Sequence, residues 1–457
     1  MDHVDGTLSY CNGHVSGGRT DDRATAAELS GPQTPSSGRR NTTEATSGDC
    51  RRTSGHVPDH RQRRKLVLHF DVRNTILVTD SATHDNVEQA LNSFLAGVTW
   101  GRQESSGWVW HSDRPSLRAP CRGVITYYKS RERQLVRCPA DRVLLRRITG
   151  DFTCQPIGRQ FRKYFDAHLR LLEWNSPAVP SISNIRSDND ISPEVTFSEP
   201  TGTKPKVVSE IDRKLTIVGA NGRLYHYLLP SFVKMLYDLH ADGCQYSLIL
   251  RTYGVDAPRV LDSIAHIVAG NHPLFPGTLP VQVNRQPGRI RRQSGARVLC
   301  ELPPTTVTAE PVVLDTDSDI YRYMSDVDGI CGFVDDFRHW QEHDYAHSDG
   351  KPVWIDLSDA DVQHIFFDDN IRVTDVDSIV DVRVFDDCNS TSGFGCESSA
   401  RSMSMEEMAP LENVCLVQAD LLECTSNVDY FTDTVRLCRK NYSDWLQRHQ
   451  NNRDGNV

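Results

Sequence analysis

The 457-residue chain contains no apolar run approaching the roughly 18 residues that span a bilayer, and no hydrophobic core of a secretory signal near its first residues. A membrane-spanning or exported protein is therefore not expected, and the sequence reads as cytoplasmic. Thirteen cysteines are scattered without a single Cys-x-x-Cys pair. Neither a zinc ribbon nor a disulfide framework is indicated, and reduced thiols are expected. Basic residues are outnumbered, with 51 Lys and Arg against 61 Asp and Glu for a formal charge of −10. This balance leaves no overall basic footprint for nucleic acid. Apolar residues make up only 38% of the chain, and no internal repeat is evident. The mean hydropathy of −0.48 is low for a wholly folded protein. Polar tails and loops are expected to surround a smaller core.

The polar residues are unevenly spread. Residues 1–62 are rich in Gly, Ser, Thr, Asp and Arg without apolar periodicity and read as a disordered tail. Arg61, Arg63, Arg64 and Lys65 close it as a small basic cluster, read as a solvated linker. Residues 176–206 read as a flexible loop and 386–410 as a mobile low-complexity loop. What remains is a core over 63–100 and 207–457, interrupted by an insertion at 275–350, and a separate insertion at 101–175.

Within the core, buried strands are recognised as short apolar runs. Leu66 to Thr75, LVLHFDVRNT, reads as a strand ending in Asp71, with Thr75 four residues on. Tyr246 to Thr252, YSLILRT, is a second strand ending in a hydroxyl, followed by Gly254 and a helix from Asp256, its expected cap. His364 to Asn370, HIFFDDN, ends in the paired acids Asp368 and Asp369. Adjacent carboxylates repel unless a proton or a cation relieves them, and Mg²⁺ suits such hard oxygens. In open α/β sheets ligands gather beyond the carboxyl ends of strands, where all of these groups would lie.

Taken in order, these segments resemble the motifs of the haloacid dehalogenase-like hydrolase superfamily, most of whose members are Mg²⁺-dependent phosphotransferases. The first motif falls on Asp71, Val72, Arg73, Asn74 and Thr75, and the second on Thr252. The third falls on Lys351-Pro352, and the fourth on Asp368-Asp369. The resemblance implies a Rossmann-like parallel α/β sheet with a cap-like insertion at 101–175. It implies Asp71 as nucleophile, Thr252 and Lys351 as the remaining catalytic groups, and Asp71, Asp368 or Asp369, and the backbone carbonyl of Arg73 as Mg²⁺ ligands. Arg73, Asn74, Thr75 and Gly254 would contact a small phosphorylated substrate. The chain departs from the family at Arg73, where the family carries a second Asp that protonates the leaving group and activates water. A guanidinium with a pKa above about 12 cannot trade protons at neutral pH. A substrate with a good leaving group, a proton donor from elsewhere (His69 or His84), or a non-catalytic binding role each accommodates that change.

Other expectations are local. Asn86–Ala96 and Gly158–Trp174 read as helices, GVITYYK before Ser130 as a strand, and 214–227 as a hairpin turning on Asn221-Gly222. A helix capped by Ser231 is expected to precede the Thr252 strand, and Tyr430–Gln450 to form a terminal helix burying Leu437, Tyr442, Trp445 and Leu446. Asp315, Asp317 and Asp319 lack the Gly and Glu of a calcium loop.

Overall fold

The protein is described by a computed structural model covering residues 64–79, 85–174, 210–293, 297–304, 310–373, 378–385 and 399–454. The 1–62 tail, the 176–206 loop, the 386–398 part of the third loop and His84 lie outside the described residues.

A mixed α/β fold is built on an eight-stranded, mostly parallel sheet. Its order is Val313–Leu314, Val298–Glu301, Gly288–Arg292, Gly329–Val334, Tyr246–Thr252, Lys65–Asp71, Val362–Asp368 and Leu416–Gln418. The six strands from Gly288–Arg292 onward run parallel, and the Val298–Glu301 and Val313–Leu314 strands add an antiparallel edge. The central Lys65–Asp71 strand is buried on both faces because both are covered. Leu66, Leu68 and Phe70 enter one hydrophobic cluster with the helices Val87–Val98, Pro230–Ala241 and Ala257–His266, while Val67 enters another with helix Asp317–Asp326. A second sheet of Lys351–Ile355, Val380–Val384 and Arg401–Ser402 packs against Phe366.

Register is set by an aromatic stack. Phe70 and Phe367 are paired residues on adjacent strands, their rings parallel at 4.4 Å, with Phe232 and Phe431 edge-on at 5.3 and 5.4 Å. The next residues along these two strands are Asp71 and Asp368, which therefore end level. From Gly329–Val334, on one side of the central strand, the chain crosses to Val362–Asp368 on the other. That reversal makes the ends carrying the two acids the sheet's topological switch point, the place where open α/β sheets hold their ligands.

Several local expectations change. Residues 275–350, set apart from sequence as an insertion, supply four strands of the main sheet, including Gly329–Val334. Its run GICGFV lies inside an acidic stretch, and its two glycines weaken the strand signal. The expected GVITYYK strand is reduced to Ile125–Thr126, because the Thr126 hydroxyl accepts from Lys129 N and starts helix Tyr127–Leu135. Ser231 is not a cap; it lies inside helix Pro230–Ala241 and donates to the Cys424 carbonyl. Residues 399–410 are not an unstructured loop, since Arg401–Ser402 joins the second sheet and Ser404 with Glu407 forms a capping box for Met405–Met408. Leu437 is 45% exposed on helix Tyr430–Asp454, whose buried stripe is Phe431, Val435, Cys438, Tyr442 and Leu446. Arg64 and Lys65 are no solvated linker: Arg64 donates to Ala360 O and lies over the Tyr442 ring, and Lys65 bonds the carbonyls of Ser325 and Val327.

The 101–175 insertion forms a small antiparallel sheet and the helices Tyr127–Leu135, Arg142–Thr149 and Arg162–Leu171. Its Trp108, Tyr127, Phe152, Phe161 and Phe165 belong to the same continuous core as Phe70. Among the described residues no helix is long and apolar enough to cross a membrane.

If the Phe70 stack holds the register, Phe70→Ala should destabilise the protein by about 3–5 kcal/mol in urea unfolding. A loss below about 1 kcal/mol would show that the site's alignment is held elsewhere.

Candidate active site

Asp71 closes its strand and the chain turns at once. Leu77 N and Ile76 N both bond the Val72 carbonyl, and Asn74 N bonds the Leu77 carbonyl at 2.7 Å. Asn74 takes a left-handed conformation (φ 57°), which Asn tolerates better than most residues. The turn directs two side chains across to the paired acids after strand Val362–Asp368. Asn74 Nδ2 donates to Asp369 Oδ2 at 3.1 Å, and Thr75 Oγ1 accepts from Asp369 N at 3.2 Å. Asn370 N in turn donates to Asp368 Oδ1 at 2.8 Å.

Between the strand ends lies Lys351, the first residue of its own strand and 1% exposed. Its Nζ donates to Asp71 Oδ1 at 2.5 Å, to Asp368 Oδ2 at 2.8 Å and to the Arg251 carbonyl at 3.3 Å. Burial works against this ammonium, yet Asp368 and Asp71 outweigh it and raise its pKa. Burial drives Asp71 well above the ordinary carboxylate range, with Lys351 opposing and Asp368 and Asp369 adding to the shift. Asp369 is pushed up to about 7 by burial and by Asp368. One ammonium thus faces three carboxylates whose ligand atoms lie within 4.8 Å of one another. The excess negative charge must be met by protons or by a cation, and an all-oxygen set of this kind fits a hard divalent ion.

Two buried arginines fix Lys351 from either side. Arg251, fully buried, is bidentate to Asp335 at 3.0 and 2.6 Å and donates to the Pro352 carbonyl at 2.8 Å. Arg292 donates to the Gly350 carbonyl and to Asp381 Oδ2, each at 2.6 Å. Sequence reading missed these groups. The available signal was an Arg inside an otherwise apolar strand, ILRT, and a pair of acids after GFV; which acid meets which cation is a long-range matter.

Thr252 ends the neighbouring strand. Its hydroxyl accepts from Gly254 N at 2.9 Å, which leaves its proton available to a ligand. The adjacent Tyr253 ring lies 5.1 Å from Lys351 Nζ. Its hydroxyl is buried without a partner among the described residues. Arg73, partly exposed, has a guanidinium nitrogen 3.7 Å from Asp85. His69 is two residues before Asp71, but its ring bonds His364 Nδ1 at 3.0 Å, and His364 Nε2 continues to the Ser325 hydroxyl at 3.0 Å. Burial holds both imidazoles below their ordinary pKa, His364 at about 3. This is a neutral chain inside the fold. Asp317 receives Arg383, Trp354 Nε1 and Ala400 N, and Asp315 and Asp319 pair with Arg297 and Arg322. Two surface clefts, one along Gln282–Cys331 and one along Asn86–Asn221, include none of the carboxylate cluster.

Between about pH 4 and pH 7 folded Asp369 keeps a proton that the unfolded chain, near 3.8, has lost. Its contribution to stability is full at the acid end and disappears as pH rises through 7. Metal-free protein should therefore lose melting temperature from about pH 5 to about pH 8 more steeply than Asp369→Asn does. Equal slopes in the two proteins would refute the raised pKa.

No family model, no curated protein and no solved structure matches this chain.

Proposed function

We propose that the chain is a Mg²⁺-dependent phosphoryl hydrolase or phosphotransferase of the haloacid dehalogenase type. It would act through an aspartyl-phosphate on a small phosphorylated molecule with a good leaving group. The observation that carries this reading is the meeting of Asp71, Lys351 and Asp368, 280 and 17 residues apart, at the switch point of a parallel sheet. Thr252 and Asp369, each expected from its own motif, border the same group of strand ends.

In this reading Asp71 Oδ attacks phosphorus as the bond to the leaving oxygen breaks, and the phosphoryl group passes to the carboxylate. Lys351 holds Asp71 in place and offsets charge on the transferring group, while Thr252 donates its free hydroxyl proton to a phosphoryl oxygen. Asp71, Asp368, Asp369 and the Arg73 carbonyl would hold the metal, which supplies neutralisation of the phosphate charge. Water then cleaves the acyl-phosphate bond and regenerates Asp71. Arg73 can neither protonate a poor leaving group nor take the proton from this water. Its guanidinium is instead drawn toward Asp85, 3.7 Å away.

A second reading, a non-catalytic protein that binds metal and phosphate, is favoured by Arg73 alone. Mg²⁺-dependent phosphate release from an aryl phosphate separates the two. The enzyme reading requires activity that disappears with chelator and in Asp71→Asn. Arg73→Asp should raise turnover of an alkyl phosphate by about 10²-fold or more. Activity that persists in Asp71→Asn would exclude the aspartyl-phosphate, and a folded, Mg²⁺-binding protein without turnover would establish the binding role.

A further inference from the structure

Two residues before Lys351 ends a segment whose polar groups the proposed chemistry does not use. We propose that His339, His343 and Asp349 form a zinc-binding site. His339 and His343 are one turn apart at the end of helix Phe337–Glu342, whose N-terminus is capped by the Asp336 side chain. Asp344 and Tyr345 follow in left-handed conformations (φ 55° and 60°) and reverse the chain. Asp349, in the short turn His347–Asp349, is thereby returned to the two imidazoles.

The three side chains are already assembled. One ligand atom from each lies within 4.8 Å of the others. His339 Nε2 and Asp349 Oδ1 are 2.8 Å apart, and the two imidazole rings stack at 4.0 Å. The outer partners are those that prepare ligands for a metal. His343 Nδ1–H donates to the His339 carbonyl at 2.8 Å, so the neutral ring keeps its lone pair on Nε2. Ser348 Oγ donates to Asp349 Oδ2 at 3.0 Å, orienting the carboxylate.

Donor chemistry sets this site apart from one for Mg²⁺. Two imidazoles and one carboxylate suit Zn²⁺, whereas Mg²⁺ prefers oxygen alone. Three protein ligands leave one position for water, and His343 is on the exposed side. The proton now shared by His339 and Asp349 would leave as zinc takes its place. Asp336 and Asp344 add negative charge on this segment, whereas Asp335 and Glu342 are paired with Arg251 and Arg338. Trp340, between the two ligands on the helix, stacks on Tyr253 at 5.3 Å, and Tyr253 faces Lys351. Zinc would thus fasten the segment that leans on the carboxylate cluster.

The test is titration of the full-length, chelator-stripped protein with Zn²⁺ against a chromophoric chelator, in excess Mg²⁺, with a parallel Co²⁺ titration. One equivalent of zinc is expected, with cobalt d–d bands of four-coordinate intensity and no thiolate-to-cobalt charge-transfer band. Affinity should fall by about 100-fold or more in His343→Ala, an exposed position whose removal leaves the core intact, and in His339→Gln. Zinc binding unchanged in both variants, zinc displaced by Mg²⁺, a thiolate band, or no binding would each overturn the site. None of these outcomes depends on phosphatase activity.

Discussion

The structure depends on one buried ammonium shared between two carboxylates. Lys351 Nζ joins Asp71 and Asp368, groups from adjacent strands that would repel each other without it. Its own placement is not left to a flexible side chain. The carbonyls before and after it, on Gly350 and Pro352, are held by Arg292 and Arg251, each engaged with a buried aspartate. A buried pair of this kind contributes little net stability but is costly to break, since one partner would be left charged and unpaired. The result is a fixed point charge where three strand ends meet, with more carboxylate than cation around it.

Geometry upstream makes that meeting possible. The Phe70–Phe367 stack sets two strands level one residue before their acids, and the reversal of strand order puts those acids at the topological switch point of the sheet. The turn after Asp71 then sends Asn74 and Thr75 across to Asp369. Lys351 and Asp368 are almost fully buried, and the rings of Tyr253, Trp340 and Tyr345 pack in succession beside them. Such a dry site strengthens every charge interaction within it.

Much of the site could be read from sequence because its members end short apolar runs. Asp71, Thr252 and Asp368 each terminate a seven-residue strand, and strand signals are local. Less local features were not readable. Arg251 and Asp335 are 84 residues apart and mark nothing until the fold joins them. The Gly329–Val334 strand was hidden by its glycines and acidic flanks, and the start of helix Tyr127–Leu135 by β-prone residues overruled by one threonine cap. Leu437 was assigned to the core by residue type, whereas the helix buries the stripe beginning at Phe431. Arg64 and Lys65 looked like solvated charge because their carbonyl partners lie about 260 residues or more away.

Arg73 stands where the resembled family carries an acid, and the expected consequence is kinetic. If Asp71 accepts a phosphoryl group but position 73 cannot activate water, formation of the aspartyl-phosphate should outpace its breakdown. The most direct measurement is mass spectrometry of the Asp71 peptide after the intact protein is mixed with acetyl phosphate and Mg²⁺ and quenched in acid. The expected result is the mass gain of one phosphoryl group on Asp71, dependent on Mg²⁺ and absent from Asp71→Asn. An unmodified Asp71 in protein that binds Mg²⁺, or phosphorylation that persists without Asp71, would contradict it.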